Sequence, residues 1–192
     1  MEALNHSGLA TKTGWIAAVA TGLLCLWAAQ QQAALTDRDL RNALLNQAVS
    51  LAQTINAEQI SALDFTPADG ARPAYQRLCA QMAAFKSQTP FNGIWSLALR
   101  DGKLIFGPES YAPGTPLASP PGTPYLKPSD AEFDVFTTGK AYVKGPQKDE
   151  YGEFVYAVAP VLEPHTGRVS LAVGVDLLSR QWRLILLKDS LL

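Results

Sequence analysis

With 192 residues the chain has room for one domain with a sizeable core and an appendage. Sixteen basic residues against seventeen acidic ones leave a net charge of −1, without the cationic excess that binding a phosphate backbone requires, which excludes nucleic acid as a partner. Cys25 sits in an apolar run and Cys79 in a predicted helix well outside it, so the pair predicts neither a disulfide nor a metal site, and both are read as buried apolar fillers.

The first distinct element is apolar. Gly14 to Ala29 carries no charge, and the run extends over Thr13 to Leu35 if three glutamines are tolerated. At helical rise these stretches reach about 24 and about 35 Å, on either side of a bilayer core of about 30 Å. The reading is a transmembrane anchor over residues 14–35 behind a short cytoplasmic tail, residues 1–13. Trp27, two residues before Ala29, is unsuited to the small-residue pattern of a signal-cleavage site, and Trp15 and Trp27 stand near the two ends, where indoles favour the interface. Lys12 is the only basic residue before the run, and a short tail before a single apolar run places the rest of the chain outside the cytoplasm.

From Asp37 to Leu63 there is neither Gly nor Pro, and Leu40, Leu44, Ala48, Leu51 and Ile55 form one stripe of a long helix. This stripe would pack either against its own domain or against the same helix of a second copy. A loop with Pro67, Gly70 and Pro73 leads to a second helix, in which Tyr75, Leu78, Met82 and Phe85 share a face. The strand Ile94–Arg100 then turns at Asp101-Gly102, a strong hairpin signal, into Lys103–Gly107. Ten of the twenty-two residues from Gly107 to Pro128 are Gly or Pro, which excludes regular structure there. Tyr111, Leu117 and Tyr125 interrupt the loop with large side chains and predict that it packs.

Ser129 and Glu132 have capping-box spacing ahead of Phe133 and Phe136, and Gly139 ends that short helix. Three runs rich in Val, Tyr, Phe and Ala follow between Tyr142 and Asp176, parted by two turn-like clusters, and predict an antiparallel meander. Leu178, Trp182 and Ile185 have the spacing of a terminal helix, and Asp176, at the end of an otherwise apolar strand, would cap it or else contact a ligand. The fold class is α+β: five antiparallel strands with helices segregated to one side. Sequence order leaves the sheet topology open.

No catalytic constellation emerges. His6 and His165 are the only histidines, one before the anchor and one in a Pro-His-Thr-Gly turn, and no Gly-rich phosphate loop is present. The expectation is a non-enzyme without a cofactor or metal. Trp95, Tyr111, Tyr125, Tyr142, Lys144 and Tyr156 are candidates to converge on a small polar or anionic organic ligand. The alternative is that their rings are core. Alternation puts Phe154, Tyr156 and Val158 on one sheet face and Val155, Ala157 and Ala159 on the other. Asp149 and Glu150, in the KDEYGE turn, would accept from a cation or a cationic ligand, or else serve as solvated turn residues.

The ordered fragments GPES, GPQKDEYGEFVYAVAPVLEP, TGRV and AVGVD, behind an apolar run and a long helix, resemble the extracytoplasmic Cache (PAS-like, also called PDC) sensor domains of histidine kinases, diguanylate cyclases and chemoreceptors. The resemblance covers residues 36–183 and leaves 184–192 as an exit helix. It implies a five-stranded antiparallel sheet with the long helix behind it and a ligand pocket on the other face, under the loop and short helix. It also implies binding of a small metabolite (an acid, amine or amino acid), a homodimer through the long helix, and a signal relayed through the terminal helices. Gln147 stands where such sequences often have Tyr, and Tyr156 where Ser is common. Neither a second span nor an output domain follows Trp182, so the expectation is the input part of a receptor or a stand-alone anchored binder. The rival expectation is an anchored PAS-like interaction module with a filled core.

Overall fold

The computed structural model describes residues 6–149 and 151–190. Glu150 therefore lies outside the described residues, as do residues 1–5 of the expected tail. The chain forms two compact units, one of Met1–Asp39 with Arg183–Leu192 and one of Leu40–Trp182.

In the larger unit the helices come first. Helix α1 spans His6–Thr54, and its stripe, continued to Ile55, is buried at Leu44, Ala48, Leu51 and Ile55. That stretch packs within its own domain, which removes it as a face for a second copy. The predicted helix does not run on to Leu63. Asn56 breaks it by turning its Oδ1 to accept from the Glu58 backbone N–H at 2.8 Å, capping a separate short helix α2, Ala57–Ser61. A 3₁₀ turn, Pro67–Ala71, precedes α3, Pro73–Ser87, which buries Ala74, Tyr75, Leu78 and Met82.

Strands β1 (Gly93–Arg100), β2 (Lys103–Phe106), β3 (Tyr142–Lys148), β4 (Glu153–Leu162) and β5 (Val169–Leu178) form one sheet in the order β2-β1-β5-β4-β3, antiparallel at every pairing. The meander supplies three neighbours, and β1 joins the hairpin β1–β2 to it by pairing with β5, the last strand in sequence. Strand alternation then separates two faces. On one, Ile94, Ala98, Val155, Ala157, Val173 and Val175 are fully buried. On the other, Phe154, Tyr156, Val158 and Ala172 cluster with Val135 of helix α4, Asp130–Thr138.

The Pro-rich segment forms neither helix nor strand and lies along the sheet edge. The Phe106 N–H donates to Thr123 O at 2.8 Å, Tyr125 N–H to Leu104 O at 2.9 Å, and Ser110 N–H to Ile94 O at 2.8 Å. The capping box of α4 is formed by Ser129 and Glu132, and Gly139 closes the helix in the left-handed region, φ 65°.

Two expectations fail at the C-terminal end. Strand β5 continues through Leu178 because Leu177 and Leu178 pair with Val155 and Phe154, and helix α5 begins only at Ser179 (Ser179–Ser190). Asp176 is therefore a strand residue facing Gly93 and Tyr156 across the sheet, not a helix cap.

The smaller unit contains the apolar run, helical throughout as part of α1. Its large side chains stand in the open, with Trp15, Ile16, Leu23, Leu24 and Trp27 each more than half exposed. Among the described residues no helix is long and apolar enough to cross a membrane; Gln30–Gln32 follow directly on the apolar run. Cys25 is exposed on this helix rather than buried, and Cys79 on α3 is half-buried.

Candidate functional site

A cavity lies between the α4 face of the sheet and the Pro-rich segment. Its floor is built by alternation: Trp95 of β1, Phe106 of β2, Phe154 and Tyr156 of β4, and Asp176 of β5. The segment from Gly107 to Pro128 supplies the roof with Glu109, Tyr111, Leu117, Ser119 and Tyr125, and the β3–β4 turn adds Asp149 and Tyr151. As traced by the centre of a water molecule the space is about 40 Å³, room for roughly three waters, and it opens to solvent.

Two glycines make this geometry possible. A Cβ at Gly174 would fall 2.4 Å from the Trp95 indole, and one at Gly93 would fall 1.8 Å from the Tyr111 hydroxyl oxygen. Without those side chains the indole packs directly against Gly174 of β5, and the Tyr111 hydroxyl against Gly93 of β1. Both rings then meet Asp176.

The Asp176 carboxylate is 4% exposed. Trp95 Nε1–H donates to Oδ2 at 3.0 Å, Asn92 Nδ2–H to Oδ1 at 3.2 Å, and the Tyr111 hydroxyl to Oδ2 at 3.4 Å. Burial dominates these donors and pushes the carboxyl up to about 7. Glu109 is the second buried acid. Its Oε1 accepts from the Ser119 backbone N–H at 2.7 Å, and burial raises it to about 7 as well. Glu109, Tyr111 and Ser119 also border an outer groove toward α3, together with Tyr75 and Cys79, where burial pushes the Cys79 thiol up.

Behind the cavity a third buried carboxylate locks α4 to the sheet. Glu132 Oε1 accepts from the Tyr142 hydroxyl at 3.0 Å and from the Tyr156 hydroxyl, and Oε2 accepts from Ser129. Burial alone would raise Glu132, but these hydrogen bonds together outweigh it and hold the carboxyl below its ordinary value. Tyr142 and Tyr156 are correspondingly pushed far up, by burial first and then by the carboxylate.

Of the residues singled out from sequence, Trp95, Tyr111, Tyr125, Asp149 and Tyr156 line the cavity. Tyr142 and Lys144 lie outside it. The first is held by Glu132, and the Lys144 Nζ donates to Ser129 Oγ. Asp149 is an organised turn residue, its Oδ1 accepting from the Tyr151 and Gly152 backbone N–H groups at 2.8 and 3.0 Å. From sequence, Glu109 carries no expected role, and Asp176 is read as a cap in preference to a ligand contact. The signals were present: Glu109 is the sole acid in the Pro-rich segment, and Asp176 ends an otherwise apolar strand. The two positions that depart from the Cache pattern are neighbours, with Gln147 Oε1 3.3 Å from the Tyr156 hydroxyl. Among the described residues no group of His, Cys, Asp and Glu side chains converges to hold a metal ion.

A five-stranded antiparallel sheet with helices behind it, and a loop-roofed cavity with a short helix in front, is a PAS-like fold. Comparison with solved structures agrees. The chain is similar to the ligand-binding domain of the Campylobacter jejuni chemoreceptor Tlp3 in complex with L-valine, with a TM-score of 0.52 and 10% identity over 83% of this chain and 60% of that one. It is similar also to the sensory domain of the same receptor with isoleucine bound, at a TM-score of 0.50 and 12% identity over 83% and 60%. Structural likeness at so low an identity shows the fold alone, and the chain spans about 60% of the length of those solved domains. No family model matches the sequence, and no curated relative matches it.

Proposed function

We propose that this chain is an extracytoplasmic sensor module that binds a small molecule without transforming it, and that it is held at the membrane by residues 14–35. The observation that carries the reading is the cavity between sheet and Pro-rich segment, with Asp176 and its three side-chain donors at its floor. Glu132 is buried for packing and its hydrogen bonds outweigh that burial, whereas the burial of Asp176 is not offset by its donors and the residue borders open space. A cavity at this point also speaks against the interaction-module reading, which requires a filled core. That the Tlp3 domains hold L-valine and isoleucine supports a small-molecule ligand for the shared fold. In this reading Trp95, Tyr111, Tyr125, Asp149, Tyr156 and Asp176 contact the ligand, while Tyr142 and Lys144 position α4 behind it.

The exposed apolar side chains of residues 14–27 support membrane attachment, since a strip of that size in water would be a liability. A homodimer through α1 belongs to the same reading, and it must use a face other than Leu44–Ile55. Occupancy would be relayed by shifting the roof and α4 against the sheet, a population change rather than a reaction.

The test is a thermal-shift screen of the full chain in detergent against amines, amino acids and small acids, with native mass spectrometry for co-purified ligand. A specific shift with one class supports the reading. No shift across the panel and no co-purified small molecule would overturn it.

A further inference from the structure

The charge around the cavity has one sign. Its described lining includes Glu109, Asp149 and Asp176 and no Lys, Arg or His, and Lys144, the cation expected there, is engaged outside it by Ser129. Two of these acids oppose each other in origin: Asp176 rises from the floor on β5, and Glu109 descends from the roof on the Pro-rich segment. Tyr111 stands close enough to both to feel the charge of each. Between them the walls are rings, with Trp95 5.9 Å from Tyr156 and Phe106 5.3 Å from Tyr125 by centroid.

Resting on the sensor reading, we infer that the ligand is a short aliphatic diamine, one ammonium group on Asp176, the other on Glu109, and the methylene stem against the rings. A dication recovers the desolvation cost of both buried acids and adds cation–π attraction to the rings. A zwitterionic amino acid would satisfy one acid and set its own carboxylate among three others with no charged partner. A dicarboxylate would meet only repulsion. A cavity of about 40 Å³ suits a slim, unbranched chain better than a branched one. By bridging floor and roof, such a ligand ties the Pro-rich segment to β5, and that closure is the event a sensor would report.

The experiment is isothermal titration of the full chain in detergent at matched ionic strength with putrescine, cadaverine, n-butylamine, L-valine and succinate. The expected result is that one of the diamines binds at least about tenfold more tightly than n-butylamine, the gain one added charge-assisted contact brings, with L-valine and succinate weaker still. Glu109→Gln should bring the diamine down to the level at which wild type binds n-butylamine. The wild-type comparison stands by itself if the variant fails to fold. Tighter binding of L-valine or succinate than of either diamine overturns the diamine and leaves the sensor reading in place. Equal binding of diamine and n-butylamine overturns the two-carboxylate bridge. Absence of binding by all five probes, together with an empty metabolite screen, overturns both.

Discussion

The Tyr111 hydroxyl donates to the Asp176 carboxylate over 3.4 Å, joining the Pro-rich segment to the last strand of the sheet. The contact depends on Gly93, where a Cβ would lie 1.8 Å from the hydroxyl oxygen. Gly93→Ala should therefore expel Tyr111 and loosen the roof, at a cost of about 1–3 kcal/mol, the usual price of overpacking. Urea unfolding measures the loss, and limited proteolysis between Gly107 and Pro128 reports the loosening. Tyr111→Phe, which keeps the ring, should cost only about 1 kcal/mol.

Asp176 gives the unliganded domain an unusual pH dependence. Its carboxyl ionises near 7 when folded and near its ordinary value of about 4 when unfolded. Above the folded value the native state carries the whole cost of a buried charge. As pH falls from about 7 toward about 4 that cost disappears, so stability rises by at most about 4 kcal/mol from this group. Glu109 works in the same direction. Urea midpoints at about pH 5 should exceed those at about pH 8, and Asp176→Asn should shrink the difference to the part that Glu109 contributes. A wild-type midpoint that rises with pH over this window would contradict the assignment.

Glu132 has the opposite sign. Its carboxyl is depressed, so its contribution is present above the unfolded value of about 4.3 and is lost as pH falls through the lower folded value. Glu132→Ala leaves the Tyr142 hydroxyl and the Ser129 cap without their acceptor, and the Tyr156 hydroxyl with only the longer contact to Gln147 Oε1. Removing this charged acceptor should cost about 3 kcal/mol at neutral pH and release α4, seen as faster amide exchange over residues 130–138.

The apolar run makes its own prediction. The full chain should sediment with membranes through carbonate washing and enter solution only with detergent. Leu23→Lys, at the middle of the run, should weaken that association, since a lysine at the centre of a span costs about 3 kcal/mol. Recovery of the wild-type chain as a monodisperse species without detergent would remove the anchor from the proposed function.

Much of the fold is legible locally. The stripe through Leu44, Ala48 and Leu51, the Asp101-Gly102 turn and the Ser129–Glu132 box each state their structure within a few residues, because helix period, turn stereochemistry and capping are short-range properties. The same holds for the packing of Tyr111 and Tyr125 in a segment too rich in Gly and Pro to be regular. Asn56 shows the limit of this reasoning: the apolar period continues past it, but its side chain satisfies a backbone N–H better as a cap than within a helix.

Composition and short-range pattern alone determined the α+β class, the number of strands and most of the rings around the cavity. Tertiary structure decided the rest. Pairing of β1 with β5 joins Trp95 to an acid 81 residues away, and no local period encodes that neighbour. Read along the chain, Asp176 is a polar residue at the end of an apolar strand. Only the assembled sheet and its Pro-rich roof place Asn92, Trp95 and Tyr111 around it, remove water from it and bring Glu109 to the same cavity, because burial and electrostatic environment belong to the assembled fold rather than to any segment.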